Sequence, residues 1–534
     1  MRGGRPPAVF AGIVARIFKR LFAPVFFARP LSAVPEGAVV FFPLRQTFLC
    51  CGLAGMVAVK AAAKGPAADL APIEEMIRRM AEEGAESCRS EADFTDRYLC
   101  GKEFVASLFA AARELKADGP FFDILTDSVR QNRLSPLGRE IAGVIETEQR
   151  QMTARAGRLT KAAIDVMDER IEMLRDVAWI FSTELFGNVE KLRFLRPELG
   201  KDPDPDLVRF FRRINAVLNS IERLEVRGRD SAGISILMIL APEDYYRFME
   251  TLDRQKLANE VSDRLVRGVL SNRSIHIREG KDENGRPIFS VGLTYKIAAE
   301  IGSLGDNTRF LREQIRKDRI LQLLAPFPMM DCSILSHTRW ASVGAITEAN
   351  CHPMDNLAEG DGSESGAIIH VCLNGDIDNY MELKKGLENK GVRIPAEIST
   401  DTKLIPLQIA RYLAAGNGIY EAFRRAANDF EGSHAIAMHS DLAPGKLFLA
   451  QKGSGQAIFV GLGDGCYLPA SEVYGFVEET CQYLKLDGES VVEGRSGKTQ
   501  GQIAVLASGA AGELAGIEAM YYDGTPVQWT AADV

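Results

Sequence analysis

A short apolar run, Cys332 to Leu335, leads directly into the sequence SHTRWASVG at residues 336–344. Such a run is typical of a buried strand that ends in a loop. Arg339 and Trp340 lie side by side at this strand end. A planar guanidinium can bind a small carboxylate through two hydrogen bonds, and an indole can close over it. Taken alone, an Arg-Trp pair more often indicates an exposed loop, and the prediction of a carboxylate-binding loop depends on four further stretches.

Four other stretches occur in a fixed order around this loop: CGLAG at 51–55, RGRDSAG at 227–233, LNG at 373–375 and STDT at 399–402. Together with SHTRWAS they resemble the glutamine amidotransferase domain of the glucosamine-6-phosphate synthases, which is of the class II, N-terminal-nucleophile type. The related amidophosphoribosyltransferases and asparagine synthetases share the Cys-Gly start but have different sequences at the Arg-Gly and Arg-Trp positions. The resemblance covers residues 51–60 and roughly 220–500, with long interruptions.

Composition narrows the class of protein. A hydrophobic content of 46% and a charged content of 25% are typical of a soluble globular protein, and a net charge of -8 does not favour nucleic acid as a partner. The nine cysteines include no CxxC pair and no zinc-type spacing, so we expect free thiols in a reducing cytoplasm, with no metal and no cofactor. The histidines are interpreted as structural: His337, His352, His370 and His434.

Residues 1–50 differ from the rest in being basic and rich in Phe and Pro. The apolar run from Ala8 to Phe27 is interrupted by three basic residues, so it makes a poor membrane span. Two interpretations stay open: a propeptide whose removal exposes Cys51, or sequence upstream of a mis-assigned start.

The fold class implied by the resemblance is α+β, a four-layer α/β/β/α sandwich; patterning alone indicates only a mixed α/β protein. Residues 51–60 and 220–510 are assigned to the amidotransferase domain. Residues 61–219 are predicted to form a large helical insertion, because apolar residues recur there at helical spacing. Residues 241–330 are a second expansion inside the domain, and residues 511–534 a C-terminal tail.

Within that frame, local patterns predict individual elements. Strands are expected over Cys51 to Val59, Ile234 to Leu240 and Ile368 to Leu373, which are short apolar runs. Helical spacing extends from Thr308 to Leu324 and from Leu404 to Ala414.

Release of ammonia from glutamine requires a nucleophile, a base and an oxyanion hole. The resemblance assigns the nucleophile to Cys51 and the base to the α-amine of that residue, so Cys51 must be the first residue of the active chain. It assigns the oxyanion hole to the side-chain amide of Asn374 and the backbone N–H of Gly375. The alternatives are a small buried residue at a strand end for Cys51, and an ordinary turn for Asn-Gly.

The same resemblance assigns the substrate contacts. Arg339 would bind the α-carboxylate of glutamine and Asp401 its α-ammonium group, because a zwitterion needs one partner of each sign. Trp340 would border the exit for ammonia. As an alternative or additional role, Asp401 would cap the helix that follows it.

Arg227 would lie near the nucleophile and Ser342 near the substrate, with Asp230 holding the loop; a surface turn is the alternative for Arg227. Three positions differ from the family pattern. Ser342 replaces a threonine and keeps its hydroxyl, and Arg229 stands where tyrosine is usual. Val343 stands where histidine is usual, which removes a polar partner from the substrate loop.

The resemblance implies that the chain is a glutamine amidotransferase that hydrolyses L-glutamine. It would be the glutaminase part of a glutamine–fructose-6-phosphate aminotransferase. In the family a pair of phosphosugar isomerase domains follows and accepts the ammonia, and none is expected before Val534. We expect the acceptor to be missing or on another chain. A homo-oligomer is left open, and no membrane partner is expected.

The alternative function is a non-catalytic regulatory or scaffold protein that retains the fold. An amidophosphoribosyltransferase relative is disfavoured, because no phosphoribosyl-pyrophosphate signature occurs near the C-terminus.

Overall fold

The structure is a computed structural model, and it describes residues 51–60, 69–200, 202–266, 272–298, 303–341, 343–359, 366–490 and 501–534. Residues 1–50, with their two interpretations, lie outside the described residues, as does Ser342.

Two antiparallel sheets form the centre of the protein. Their strands are β1 (Gly52–Ala58), β2 (Ser231–Leu240), β3 (Ser274–Lys281), β4 (Pro287–Ala298), β5 (Asp331–Arg339), β6 (Met354–Asp355), β7 (Ile369–Gly375), β8 (His434–Ser440), β9 (Lys446–Lys452), β10 (Phe459–Gly463), β11 (Cys466–Ala470), β12 (Tyr483–Lys485), β13 (Gln502–Ala507), β14 (Ile517–Tyr521) and β15 (Pro526–Val527). Among the described residues, the first sheet has the order β12-β10-β11-β1-β5-β2-β4-β3. The second has the order β15-β14-β13-β9-β8-β7-β6.

Helices cover the outer faces of both sheets. They are α1 (Ala71–Glu82), α2 (Glu91–Asp96), α3 (Lys102–Glu114), α4 (Asp118–Thr126), α5 (Ser128–Leu134), α6 (Leu137–Ala154), α7 (Lys161–Trp179), α8 (Asn188–Leu195), α9 (Pro205–Leu224), α10 (Pro242–Arg254), α11 (Ala258–Val266), α12 (Asp306–Lys317), α13 (Arg319–Leu324), α14 (Tyr380–Glu388), α15 (Leu404–Ala414) and α16 (Ile419–Asp429). A π-helical segment, Ile180–Gly187, joins α7 to α8.

The alternation of side chains along β1 shows how the layers arise. Leu53 and Val57 point between the two sheets and join an apolar cluster that includes residues of β7, β8 and β9. Met56 points the other way, into the large core that the first sheet shares with α1–α13. The second sheet packs its outer face against α14–α16. The predicted α/β/β/α sandwich with a large helical insertion is confirmed.

The predicted elements near the motifs occur close to their expected bounds, as β1, β2, β7 and α15 show. One helix differs, because the helical pattern from Thr308 to Leu324 is divided at Asp318 into α12 and α13. The Asp318 carboxylate accepts hydrogen bonds from the backbone N–H of Ile320 (3.0 Å) and pairs with Arg264 (2.9 Å). A buried cap with its own cationic partner therefore starts a new helix there.

The two expansions and the C-terminal residues all join the sheets. Residues 241–330 supply β3 and β4 to one edge of the first sheet. Residues 511–534, described above as a tail, supply β14 and β15 to the edge of the second sheet, where Ala504 pairs with Ala519. The boundaries proposed for the domains stay a prediction. No helix in the described part of the chain is long and apolar enough to cross a membrane.

Helix α9 connects the helical region to the motif strands. Asp204 caps it, accepting a hydrogen bond from the Asp206 N–H (2.9 Å), and proline occupies its first turn. It packs against both β1 and β5. From its last turns, the Arg223 guanidinium forms an ion pair with Glu478, a residue that also accepts a hydrogen bond from Asn219 (3.0 Å).

This buried ion pair yields a stability prediction. The Glu478 side chain is 5% exposed, so Glu478→Ala removes the buried ion-pair partner of Arg223 and the acceptor of the hydrogen bond from Asn219. We expect the free energy of unfolding to fall by about 3–5 kcal/mol, measured by urea denaturation.

The matched control is Glu75→Ala. It removes an ion pair with Arg78 whose side chains are more than half exposed, and we expect almost no change. Equal stability of the two variants would contradict the assignment of Glu478 as the buried link between α9 and the chain after β11.

Candidate active site

Cys51 lies immediately before β1, at the end of the first sheet where β5 finishes. The pairing of Gly52 with Thr338 places the cysteine beside the loop that follows Arg339. Its Sγ atom is 3.3 Å from the backbone nitrogen of Trp340, which donates to it, and 3.5 Å from the Trp340 carbonyl oxygen. The half-buried thiol is therefore held against the first peptide after β5.

Gly228 allows this close approach. A Cβ atom at this position would lie 2.6 Å from the backbone nitrogen of Trp340 and 2.7 Å from the carbonyl carbon of Arg339. Any side chain there would displace the peptide that contacts Cys51. This steric requirement explains the glycine of the Arg-Gly sequence.

Two sets of hydrogen bonds fix the loop after β5. The Asp230 N–H donates to the Arg339 carbonyl (3.0 Å), and its carboxylate accepts from the Ala341 N–H (3.0 Å). The Arg339 guanidinium, only 3% exposed, donates to the carbonyl oxygens of Val343 and, at 3.4 Å, of Ala345. Since Arg339 contacts the main chain at position 343, valine in place of histidine leaves this loop contact intact.

Asn374 and Gly375 end β7 in the second sheet. Asn374 is fully buried, and its Oδ1 atom lies 2.9 Å from His337 Nε2 on β5. Its Nδ2 atom has no hydrogen-bond partner among the described residues. Gly375 has a φ of +91°, and a Cβ there would lie 2.2 Å from the Ser433 carbonyl oxygen, so glycine is needed both for conformation and for space.

Asp401 begins a short 3₁₀ turn, Asp401–Lys403, that leads into α15. One of its carboxylate oxygens accepts a hydrogen bond from the Ile377 N–H at 2.8 Å, just beyond the Asn-Gly pair. Burial raises the pKa of Asp401, the charge on Asp376 adds to this, and the nearby Arg339 guanidinium opposes it. The carboxylate and the guanidinium are thus close enough for their charges to interact.

Arg227 contacts the segment that follows β11. Its guanidinium forms an ion pair with Glu472 and donates to the Ser471 carbonyl at 3.4 Å. Ser471 in turn is bound twice to Leu53, through its own N–H (3.0 Å) and through its Oγ, which accepts from the Leu53 N–H (3.1 Å). Sequence reasoning missed Ser471 and Glu472, because no motif marks the end of β11.

The structure therefore brings the main sequence-predicted residues to one end of the sandwich. Cys51, Arg339, Trp340, Asn374 and Asp401 converge there; Trp340 is 38% exposed at the surface. Arg227 supports the site from behind, and Ser342 lies outside the described residues. The roles assigned to these residues stay predictions. Within the described ranges, no group of three or more His, Cys, Asp or Glu side chains could hold a metal ion.

The environment of the thiols predicts which ones react. Burial raises the pKa of Cys332 to about 12 and also raises that of Cys351 and Cys372, so these thiols carry little thiolate. Cys51 is half-buried and Cys481 exposed. We expect iodoacetamide at a pH of about 8 to modify Cys51 and Cys481 first, as read by peptide mass mapping.

Cys481 serves as the internal control for simple exposure, and Cys51→Ala should remove only its own labelled peptide. Equally fast labelling of Cys372 in the folded protein would contradict the described placement of a half-buried Cys51 at the start of β1 and a fully buried Cys372 between the sheets.

The chain is similar in sequence to several curated proteins that share one name. The glutamine–fructose-6-phosphate aminotransferase (isomerizing) of Chlorobaculum tepidum is 36% identical over 288 residues, covering 53% of this chain and 34% of the relative. The protein of the same name from Methanothermobacter thermautotrophicus is 36% identical over 159 residues, covering 30% of this chain and 25% of the relative. The protein of the same name from Streptococcus mutans is 25% identical over 276 residues, covering 52% of this chain and 33% of the relative.

The chain spans about a quarter to a third of the length of these curated relatives. No protein-family model matches it. A solved structure titled as the allosteric regulatory enzyme of purine biosynthesis aligns with a TM-score of 0.34 and 14% identity, covering 58% of this chain and 46% of that one. On its motifs and these relatives, the chain is similar to the class II, N-terminal-nucleophile glutamine amidotransferase domain of the glutamine–fructose-6-phosphate aminotransferases.

Proposed function

We propose that this chain hydrolyses L-glutamine to glutamate and ammonia, with Cys51 as the nucleophile. The observation that carries the proposal is the convergence around one thiol of three groups from distant parts of the sequence: a buried guanidinium, a buried carboxylate and a buried amide whose NH2 group has no partner in the described structure. Each group matches one part of glutamine or of the intermediate formed from it.

Arg339 and Asp401 bind the amino acid end of the substrate. A guanidinium has five N–H donors, and the contacts to Val343 and Ala345 use two of them, so donors remain for the α-carboxylate. The ionised Asp401 carboxylate accepts the α-ammonium group. A pair of opposite charges in one pocket selects a zwitterion over a simple amide.

The thiol attacks the side-chain carbonyl of glutamine. The free α-amine of Cys51 takes the thiol proton, and the carbonyl oxygen becomes an oxyanion that accepts hydrogen bonds from Asn374 Nδ2 and the Gly375 N–H. The protonated amine then gives its proton to the leaving nitrogen, the C–N bond breaks, and ammonia departs. Water cleaves the remaining thioester to give glutamate and regenerate the thiol. Because the base is an α-amine, activity requires a chain that begins at Cys51.

The destination of the ammonia is the second part of the proposal. The curated relatives are named as isomerizing aminotransferases of fructose 6-phosphate, and the chain matches a limited part of them. We propose that a phosphosugar isomerase domain or subunit outside these 534 residues accepts the ammonia and forms glucosamine 6-phosphate. Trp340, partly exposed beside the Cys51 thiol, borders the exit.

The central test compares two forms of the chain. A form that begins at Cys51 should release glutamate and ammonia from glutamine, whereas the form that retains residues 1–50 should be inactive, because its Cys51 nitrogen is an amide without basicity. The measurement is glutamate production by a coupled dehydrogenase assay. Activity of the Cys51 form should rise with pH as its α-amine loses a proton, around pH 7.7–8.0, about the ordinary pKa of that group.

Cys51→Ala in the shorter form is the control and should abolish hydrolysis. Equal activity of the two forms, or activity in the alanine variant, would refute the proposal. An inactive but folded Cys51 form would favour the non-catalytic scaffold.

Asp401→Asn tests the substrate contacts. Hydrogen bonds to charged groups contribute about 1.5–3 kcal/mol, so we expect KM for glutamine to rise about tenfold to a hundredfold. In the wild type, KM should rise as the pH falls through the pKa of Asp401, which burial raises, because the protonated carboxyl no longer attracts an ammonium group.

Asp376→Asn is the matched control, since it removes a neighbouring charge that raises the pKa of Asp401. It should leave KM unchanged near neutral pH and move the rise in KM to lower pH. If Asp401→Asn leaves KM as it is, Asp401 does not bind the ammonium group.

A further inference from the structure

His337 connects the first sheet to the oxyanion asparagine of the second sheet. It lies on β5 two residues before Arg339, pairs with Leu53 of β1, and is fully buried. Its Nε2 atom is 2.9 Å from Oδ1 of Asn374. The side chain thus reaches across the sandwich to the residue proposed to stabilise the oxyanion.

The direction of this hydrogen bond determines what Asn374 can do. An amide has an accepting oxygen and a donating NH2 group at opposite corners. A donor at His337 Nε2 holds the oxygen and leaves the NH2 group free, as observed for Asn374 Nδ2 among the described residues. If the amide were turned around, its oxygen would face the developing negative charge and repel it.

The imidazole is suited to a fixed donor role. Burial lowers the pKa of His337 to about 3, although the hydrogen bond to Asn374 opposes this, so the ring is neutral at cellular pH. The nearby Arg339 charge lowers the pKa of His337 further, and the centroid of the His352 ring lies 4.3 Å from that of His337. A neutral ring carries one N–H, and only the tautomer with the hydrogen on Nε2 can donate to Asn374.

We propose that His337 is a positioning residue, which holds the Asn374 amide with its NH2 group directed at the carbonyl oxygen of the substrate. This inference rests on the proposed glutaminase function. His337 does not touch the substrate and exchanges no proton with it. The Nε2–H donor orients the amide, and the amide stabilises the oxyanion.

The experiment uses the chain that begins at Cys51 and three substitutions. His337→Leu removes the donor, and kcat should fall by about tenfold to a hundredfold with little change in KM, approaching the loss of an oxyanion donor itself. His337→Gln places an amide NH2 near the position of Nε2 and should restore most of kcat. His439→Leu is the matched control: His439 is equally buried and bonded to Ser333 and Ser235 (3.0 Å each), without a contact to Asn374.

Two further readouts separate orientation from general damage. Alkylation of Cys51 by iodoacetamide forms no oxyanion, so its rate should be the same in His337→Leu and in the wild type. In an Asn374→Ala background, His337→Leu should cause almost no additional loss of kcat, because the group that it orients is already absent.

The outcomes distinguish this inference from the proposed function. If the wild-type chain hydrolyses glutamine but His337→Leu and His439→Leu lose kcat equally, or glutamine at 337 gives no rescue, the positioning role is overturned while the glutaminase stands. If the double variant loses kcat by the product of the factors found for Asn374→Ala and His337→Leu alone, the positioning role is likewise overturned. If the wild-type chain beginning at Cys51 hydrolyses no glutamine, both proposals fail together.

Discussion

The register between β1 and β5 is the constraint on which the site depends. With Gly52 opposite Thr338, the residue before β1 meets the residue after β5. On the other side of β5, Ser231 of β2 pairs with Arg339. Because all three strands are antiparallel, the start of β1, the end of β5 and the start of β2 fall at one end of the sheet. A slip of one residue would turn every side chain of β1 to the opposite face and remove the thiol from this loop.

The second sheet supplies the remaining groups through the space between the sheets. Most of that space is apolar, with Leu53, Leu335 and Cys372 in one cluster. It is polar in two places: near the thiol, where His337 meets Asn374, and farther along β5, where His439 of β8 bonds to Ser333 and to Ser235 of β2. A buried polar pair is unfavourable unless its hydrogen bonds are made, and Asn374 Nδ2 is left without a partner among the described residues. Under the proposed function this cost is explained, because the bound substrate would accept the hydrogen bond that the Asn374 NH2 group lacks.

Sequence reasoning located this site because its residues lie in short, distinctive stretches at strand ends. Cys51, Arg339, Asn374 and Asp401 could each be named before their distances were known, and strands such as β1 could be predicted because they are apolar on both faces. The break at Asp318 could not be predicted, since the partners that hold this carboxylate, Arg264 among them, come from elements distant in sequence. For the same reason Ser471 and Glu472, which bind Leu53 and Arg227 from the end of β11, could not be predicted.

The helical region is joined to the site by the end of α9. Arg223 donates to the Gly475 carbonyl (3.1 Å) and pairs with Glu478, and Arg227, four residues later, pairs with Glu472. The segment after β11 also contains Ser471, which forms two hydrogen bonds with Leu53, and Leu53 lies two residues after Cys51. A shift of α9 along its axis would move both arginines together and would displace the support of β1. Helices can therefore be added before α9 only if they leave the position of its last turn unchanged, and the buried ion pair of Arg223 with Glu478 helps to fix that position.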